Sequence, residues 1–256
     1  MDFTDKIVLV TGTTGIARAV AIKLASLGAQ VVALGIDEKG NAALAHDAQG
    51  IIVRRTDVSV PDDVQAALRE IEQRFGGLDI IVNSAAVHPY GDAVQTSPEV
   101  FANAMSVNAG SIHLTAHFGV PLMRKRGGGV IVNVSSVQGH ACQAGVMAYV
   151  ATKGAIHAMT RAMALDFAPD QIRVVSVSPG SVRTPILELA ARTFDGPDAN
   201  IDDAFARFGA AHPIGRIGEP EEIADFIAFI ASDRAGFITG SDHVLDGGLT
   251  AALGVK

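Results

Sequence analysis

At 256 residues, 48% hydrophobic and 18% charged, the chain can bury one large core and is too apolar for a disordered or fibrous protein. Its net charge of −7 disfavours nucleic acid or an anionic membrane as a partner. One cysteine, Cys142, excludes an internal disulfide and matches a reducing, cytoplasmic setting. The opening Met1 to Lys6 lacks the basic and apolar regions of a secretory leader, so none is expected. No apolar run approaches the ~20 residues of a membrane helix. The eight histidines show no metal-ligand spacing, so no metal site is expected.

In chain order, Ile7 to Val10 reads as a short apolar strand. The turn from Thr11 through Gly12, Thr13, Thr14, Gly15 and Ile16 to Ala17 follows, then a helix from about Arg18 to Leu27 stopped by Gly28. Strand, glycine turn and helix in succession suit a dinucleotide. Glycine lets the backbone approach a pyrophosphate, and the helix N-terminus receives its charge. Taken alone, the same turn also describes a tight βα loop. Gln30 to Leu34 is the second strand, ending at Gly35, Ile36 and Asp37. Ile51 to Arg54 is the third, followed by Asp57 and Val58. Ser59 to Asp62 opens a helix with a serine cap and an acidic first turn, closed by Gly76. Leu78 to Val82 forms the fourth strand, ending in Asn83, Ser84, Ala85 and Ala86.

Ser97, Pro98 and Glu99 start a helix, with the serine as cap, that runs through Asn108 to about Arg126. Val130 to Val134 is a buried strand ending in Ser135 and Ser136. An alanine-rich helix follows and carries Tyr149 and Lys153 at i and i+4, on one face. Arg173 to Val177 is the sixth strand, leading into Pro179, Gly180, Val182 and Thr184. Residues 186–213 look mixed and poorly periodic and are expected to form a mobile substrate lid. Glu219 to Glu221 begins the last main helix, and His243 to Asp246 the last strand. With no repeat and no linker, residues 1–256 read as one domain.

Ser136, Tyr149 and Lys153 make chemical sense together. A tyrosine of pKa about 10 reaches ~7 only if phenolate gains roughly 4 kcal/mol. A cation about 4 Å away supplies on the order of 4 kcal/mol at an effective dielectric near 20. The tyrosine can then exchange a proton with an alcohol oxygen that the serine holds.

Ser136, Tyr149 thirteen positions later and Lys153 four beyond that, at the end of a buried strand, resemble the short-chain dehydrogenase/reductase family. The resemblance covers essentially the whole chain. It implies a doubly wound α/β fold, a parallel sheet in the order 3-2-1-4-5-6-7, with a nicotinamide dinucleotide across the strand ends. It implies hydride transfer to or from a secondary alcohol or ketone, with Asn108, Ser136, Tyr149 and Lys153 catalytic. Tyr149 and Lys153 also meet the cofactor. Gly12, Thr14, Gly15 and Ile16 are matched to its phosphates, and Asp57 and Val58 to adenine. Asn83 and Ala85 lie beside the cofactor, while Pro179, Gly180, Val182 and Thr184 approach the nicotinamide.

The chain departs from the family pattern in places. Its glycine turn is one residue shorter than T-G-x-x-x-G-x-G and ends in Ala17, and N-N-A-G has become Asn83 to Ala86. The acid that binds the adenosine ribose is replaced by Gly35. NAD is expected, with NADP as the alternative, because Asp37 and Glu38 are the nearest charges and Asp37 can reach the ribose from two residues late. By position, His88, Gln138, Cys142 and Gln143 line the substrate pocket, with Tyr90, His140, Met147 and Leu187 as further wall. Their polarity favours a sugar or polyol-like small molecule. Family members pair the helices corresponding to Ala104–Met123 and Tyr149–Phe167 across a two-fold axis, which implies a homotetramer. The rival readings are an NADP-dependent 3-oxoacyl or steroid carbonyl reductase and a cofactor-sensing protein without turnover. An extended epimerase or dehydratase has too little chain after Pro185.

Overall fold

The structure is a computed structural model that describes residues 1–48 and 50–253. Its strands are β1 (Ile7–Thr11), β2 (Gln30–Gly35), β3 (Ile52–Arg55), β4 (Ile80–Asn83), β5 (Gly129–Val134), β6 (Ile172–Pro179) and β7 (Asp242–Leu245). They form one parallel sheet in the order β3-β2-β1-β4-β5-β6-β7, as expected. Between them lie α1 (Gly15–Ser26), α2 (Glu38–Asp47), α3 (Pro61–Phe75), α4 (Pro98–Met105), α5 (Ser111–Lys125), α6 (Met147–Phe167), α7 (Pro185–Asp195), α8 (Ile201–Ala210) and α9 (Pro220–Ala231).

The register explains why the strands read as unbroken apolar runs. Val32, Leu9, Ile81, Ile131 and Val174 align across five strands and face α3, α5 and α6. Ala33, Val10, Val82, Val132 and Val175, one position on, face α1 and α9. Both faces are covered, so successive residues of each central strand are buried whichever way they point. The strand order reverses between β1 and β4, and a crevice opens at their carboxyl ends. Among the described residues no helix is long and apolar enough to cross a membrane.

Four local expectations are corrected. α1 starts at Gly15, not near Arg18, because Thr14 is already extended and acts as the N-cap residue. Ser59 does not cap α3: its N–H and hydroxyl both donate to Asp57 Oδ1, and Val60 holds the cap position. The helix expected from Ser97 to Arg126 is interrupted by a five-residue π turn, Ser106–Gly110, that widens the backbone around Asn108. Residues 186–213 are not aperiodic. Ile186, Leu187, Ala190, Ala191 and Phe194 share one face of α7, and Ile201, Ala204, Phe205 and Phe208 one face of α8.

A buried polar network ties the central strands to the helices behind them. Asn83 Nδ2 donates to Asn133 Oδ1 at 2.9 Å, and Thr115 Oγ1 to Asn83 Oδ1 at 2.8 Å. Asn133 Nδ2 donates to Thr160 Oγ1 at 3.0 Å. Asn133 is fully buried, so its loss strands partners on β4 and α6 without water. Asn133→Ala is expected to cost about 2–4 kcal/mol and lower the melting temperature by several degrees. A melting curve within a degree of wild type would remove this network from the account.

Candidate active site

One cleft of about 870 Å³ lies at the carboxyl ends of the strands. Gly12, Thr14, Gly15 and Ile16 reach it from the β1–α1 turn. Gly12 has φ +99°, and a Cβ there would stand 2.8 Å from the Ala17 methyl. The short turn therefore closes against α1 only because Gly12 lacks a side chain. Thr14 makes no side-chain cap, which leaves the first N–H groups of α1 available to an anion.

Asp37, Asp57, Val58, Ala85, Pro179, Gly180, Val182 and Thr184 line the same cleft. Three of these side chains are already partly engaged, Asp57 with Ser59 as described above. Asp37 Oδ1 caps α2, accepting from Lys39 N at 3.0 Å and Gly40 N at 3.1 Å. Thr184 caps α7, and its hydroxyl donates to the Val182 carbonyl at 3.1 Å. Asn83 is different. Its amide is consumed by Asn133 and Thr115 behind the sheet, and it does not line the cleft. It braces the strand that presents Ala85, and its side chain faces away from the cleft. Thr11 helps from the next strand, its hydroxyl accepting from Ser84 N and Ala85 N at 3.0 and 3.2 Å.

Ser136, Tyr149 and Lys153 come together at the end of β5, all three buried. Lys153 Nζ donates to the Val134 carbonyl at 2.9 Å and lies 5.2 Å from the centre of the Tyr149 ring. Burial pushes the ammonium pKa down to about 7. Burial also pushes the Tyr149 phenol above its usual 10, with a hydrogen bond to Ser136 pulling the other way. The expected lowering of the tyrosine by its lysine is therefore not met. The same dry setting penalises both charges.

Asn108, expected to be catalytic, stands behind this group. Its Nδ2 donates to Val87 O at 2.9 Å and Thr152 Oγ1 at 3.0 Å, while Oδ1 accepts from Val87 N at 2.8 Å. The π turn swings this amide onto the chain after β4, and its donors and acceptor are used there. It positions Val87 and the residue before Lys153.

His88, Gln138, Cys142 and Gln143 all line the cleft, as do Tyr90 and Leu187. The His88 ring lies 4.0 Å from Tyr149 and 4.7 Å from Tyr90, and Tyr90 meets Phe194 of α7 edge-on at 5.6 Å. His88 Nδ1 and Gln138 Oε1 are buried without a hydrogen-bond partner, while Gln138 Nε2 donates to Gln143 Oε1 at 3.2 Å. His140 and Met147 are not part of the cleft wall. His140 Nε2 is 2.7 Å from Asp242 Oδ2, and its ring stacks on His157 at 4.3 Å. Asp242 also accepts from Ser176 and Ser178. His157 Nε2 lies 3.4 Å from Asp242 Oδ1, so both imidazoles meet the same carboxylate and the group tethers the loop.

A family profile described as Enoyl-(Acyl carrier protein) reductase matches residues 10–250. The chain belongs to the short-chain dehydrogenase/reductase family. Within that family it is 37% identical to L-fucose dehydrogenase of Mus musculus, over 99% of this chain and 92% of that one. It is 31% identical to cyclohexanol dehydrogenase of an Acinetobacter species, over 97% and 96% of the two chains. The solved aldohexose dehydrogenase of Thermoplasma acidophilum superposes with a TM-score of 0.93 at 34% identity, covering 99% of this chain and 97% of that one.

The family pattern did not point to several cleft residues. Ala190, Phe194 and Phe208 reach the cleft from α7 and α8, and Thr250 from beyond β7. The helical spacing of the first three was a usable signal. Thr250 had none, because its position depends on where the chain returns after β7.

Burial and the charge of Lys153 push the His88 imidazole down to about 4 from an ordinary 6.5. Its neutral form therefore adds stability that is complete above pH 6.5 and lost as pH falls toward 4. After discounting for partial exposure the effect is on the order of 2 kcal/mol. The melting temperature is expected to fall over that window less steeply in His88→Asn than in wild type. Parallel curves would show that another group carries the dependence.

Proposed function

We propose that the protein is an NAD-dependent dehydrogenase that oxidises a ring hydroxyl of a sugar or polyol. The observation that carries this reading is the pair of unpartnered buried polar atoms, His88 Nδ1 and Gln138 Oε1, in the cleft that holds Tyr149. A polar atom left dry is costly, and a substrate carrying several hydroxyls supplies the missing partners. A steroid or acyl chain does not. The L-fucose and aldohexose dehydrogenase relatives support the same class. Retention of Ser136, Tyr149 and Lys153 in one buried group argues against a sensor without turnover.

The residues present fit a dinucleotide: the glycine turn leaves room for backbone approach, and the start of α1 offers uncapped N–H groups. Bound NAD supplies the hydride acceptor and a positively charged ring. Ser136 would hold the substrate oxygen, and Tyr149 as phenolate would take its proton. Tyr149 must be phenolate to accept that proton, and a protonated Lys153 beside it, 5.2 Å from the ring centre, would stabilise that charged form. The dry cleft strengthens each of these interactions.

NAD is favoured over NADP by charge. Asp37 faces the cleft, and Arg18, the nearest guanidinium in sequence to the glycine turn, is paired with Asp47 at 2.7 Å. A 2′-phosphate beside Asp37 is disfavoured by roughly 1–3 kcal/mol. The free thiol of Cys142 suits a reducing cytoplasm, which we take as the setting. A homotetramer is also proposed. Leu165 on α6 is an exposed apolar residue on one of the helices that pair in this family.

Tyr149→Phe is expected to lower turnover ~10²-fold or more and leave NADH affinity within a few-fold, because it removes the exchangeable proton alone. An oxidation assay at 340 nm with L-fucose, aldohexoses and cyclohexanol tests both mechanism and class. Turnover of cyclohexanol alone would sink the sugar reading. Asp37→Asn keeps the oxygen that caps α2 and removes the charge, so NAD is expected to lose its advantage over NADP by about 5- to 150-fold. Wild-type preference for NADP in kcat/KM would overturn that assignment. Light scattering at micromolar concentration is expected to give four times the chain mass, and a monomer would rule the tetramer out.

A further inference from the structure

Gly35 ends β2 where the family places its ribose-binding acid, and no unusual backbone angle requires glycine there. The requirement is space. A Cβ on Gly35 would lie 2.6 Å from Thr13 Oγ1, 2.9 Å from Thr13 Cγ2 and 2.8 Å from Asn41 Oδ1. These two side chains form a bridge. Thr13 Oγ1 donates to Asn41 Oδ1 at 2.8 Å, and Asn41 Nδ2 donates to the Gly35 carbonyl at 2.9 Å. Thr13 is 2% exposed. Just before Asn41, a Cβ on Gly40 would stand 2.5 Å from Thr14 Cγ2, so the short glycine turn rests directly on the first turn of α2.

We infer that Thr13 and Asn41 are the specificity-determining pair of the adenosine end: their bridge fills the space of the missing acid and hands ribose recognition to Asp37. The bridge is neutral and spends its hydrogen bonds on itself and on Gly35. It therefore offers the ribose diol little in place of a carboxylate. Asp37 is the next acid along the chain, it lines the cleft, and its cap on α2 is made through Oδ1. Its second oxygen is left to receive a ribose hydroxyl. Asn41 is a positioning residue here, acting through Thr13 and the Gly35 backbone. The inference rests on the reading of the cofactor as a nicotinamide dinucleotide.

The test is a set of NADH titrations, by fluorescence, on the full chain. Gly35→Asp in the wild-type background is expected to weaken NADH by tenfold or more, as overpacking at a closed site does. In a Thr13→Ala/Asn41→Ala background the same substitution is expected to be neutral or to tighten binding. In that refilled variant Asp37→Asn is expected to cost less than about twofold, against several-fold in wild type. If Gly35→Asp fails to fold, Gly35→Ala in both backgrounds makes the same comparison, because the built Cβ already meets the bridge. An effect of the substitution that is equal within twofold in both backgrounds overturns the occlusion. An undiminished Asp37→Asn loss in the refilled variant overturns the hand-over. Wild-type protein that binds neither NADH nor NADPH would instead sink the cofactor reading itself.

Discussion

The site depends on keeping water away from the end of β5. Lys153 is 3% exposed, and its ammonium donates to a backbone carbonyl of that strand, not to a carboxylate. An unpaired buried ammonium is unfavourable, and its lowered pKa is the consequence. Tyr149 is driven the opposite way by the same burial. Burial therefore drives both residues toward their uncharged forms. A wetter site would give both residues ordinary titration and less power to stabilise an oxyanion.

That dryness is assembled from distant parts of the chain. The π turn at Asn108 binds the Val87 backbone, which places His88 against the Tyr149 ring. Phe194 then continues the aromatic contact out to α7 through Tyr90. A single column thereby runs from the proton-exchanging phenol to the helix that covers the cleft. The loop after Ser136 is tethered separately, by His140 and His157 on Asp242. Gln138 and Cys142 consequently face a cleft whose two walls are held by different interactions.

The adenosine end follows a simpler rule of volume. One residue fewer in the glycine turn brings it onto α2, and Gly12, Gly35 and Gly40 each leave room for a neighbouring side chain. The turn and the first turn of α2 therefore work as one packed unit. A change on either side is felt at the other before it is felt by a ligand.

The strands themselves, the glycine turn and the grouping of Ser136, Tyr149 and Lys153 were legible in the sequence. Apolar runs mark buried strands, glycines the positive φ angles of the turn, and spacing of four the shared helix face, while the strand order came from the family resemblance. The amphipathic spacing of α7 and α8 is equally present in the sequence. Only the tertiary structure decided the rest. Asn83 and Asn108 look like site residues in one dimension, yet their amides are used by partners 50 and 44 positions away. The pKa directions at Tyr149 and Lys153 depend on burial by residues remote in sequence, which no local spacing encodes. The closure of position 35 by Thr13 and Asn41 required knowing that three segments meet within hydrogen-bond distance, and contact across the fold supplies that information.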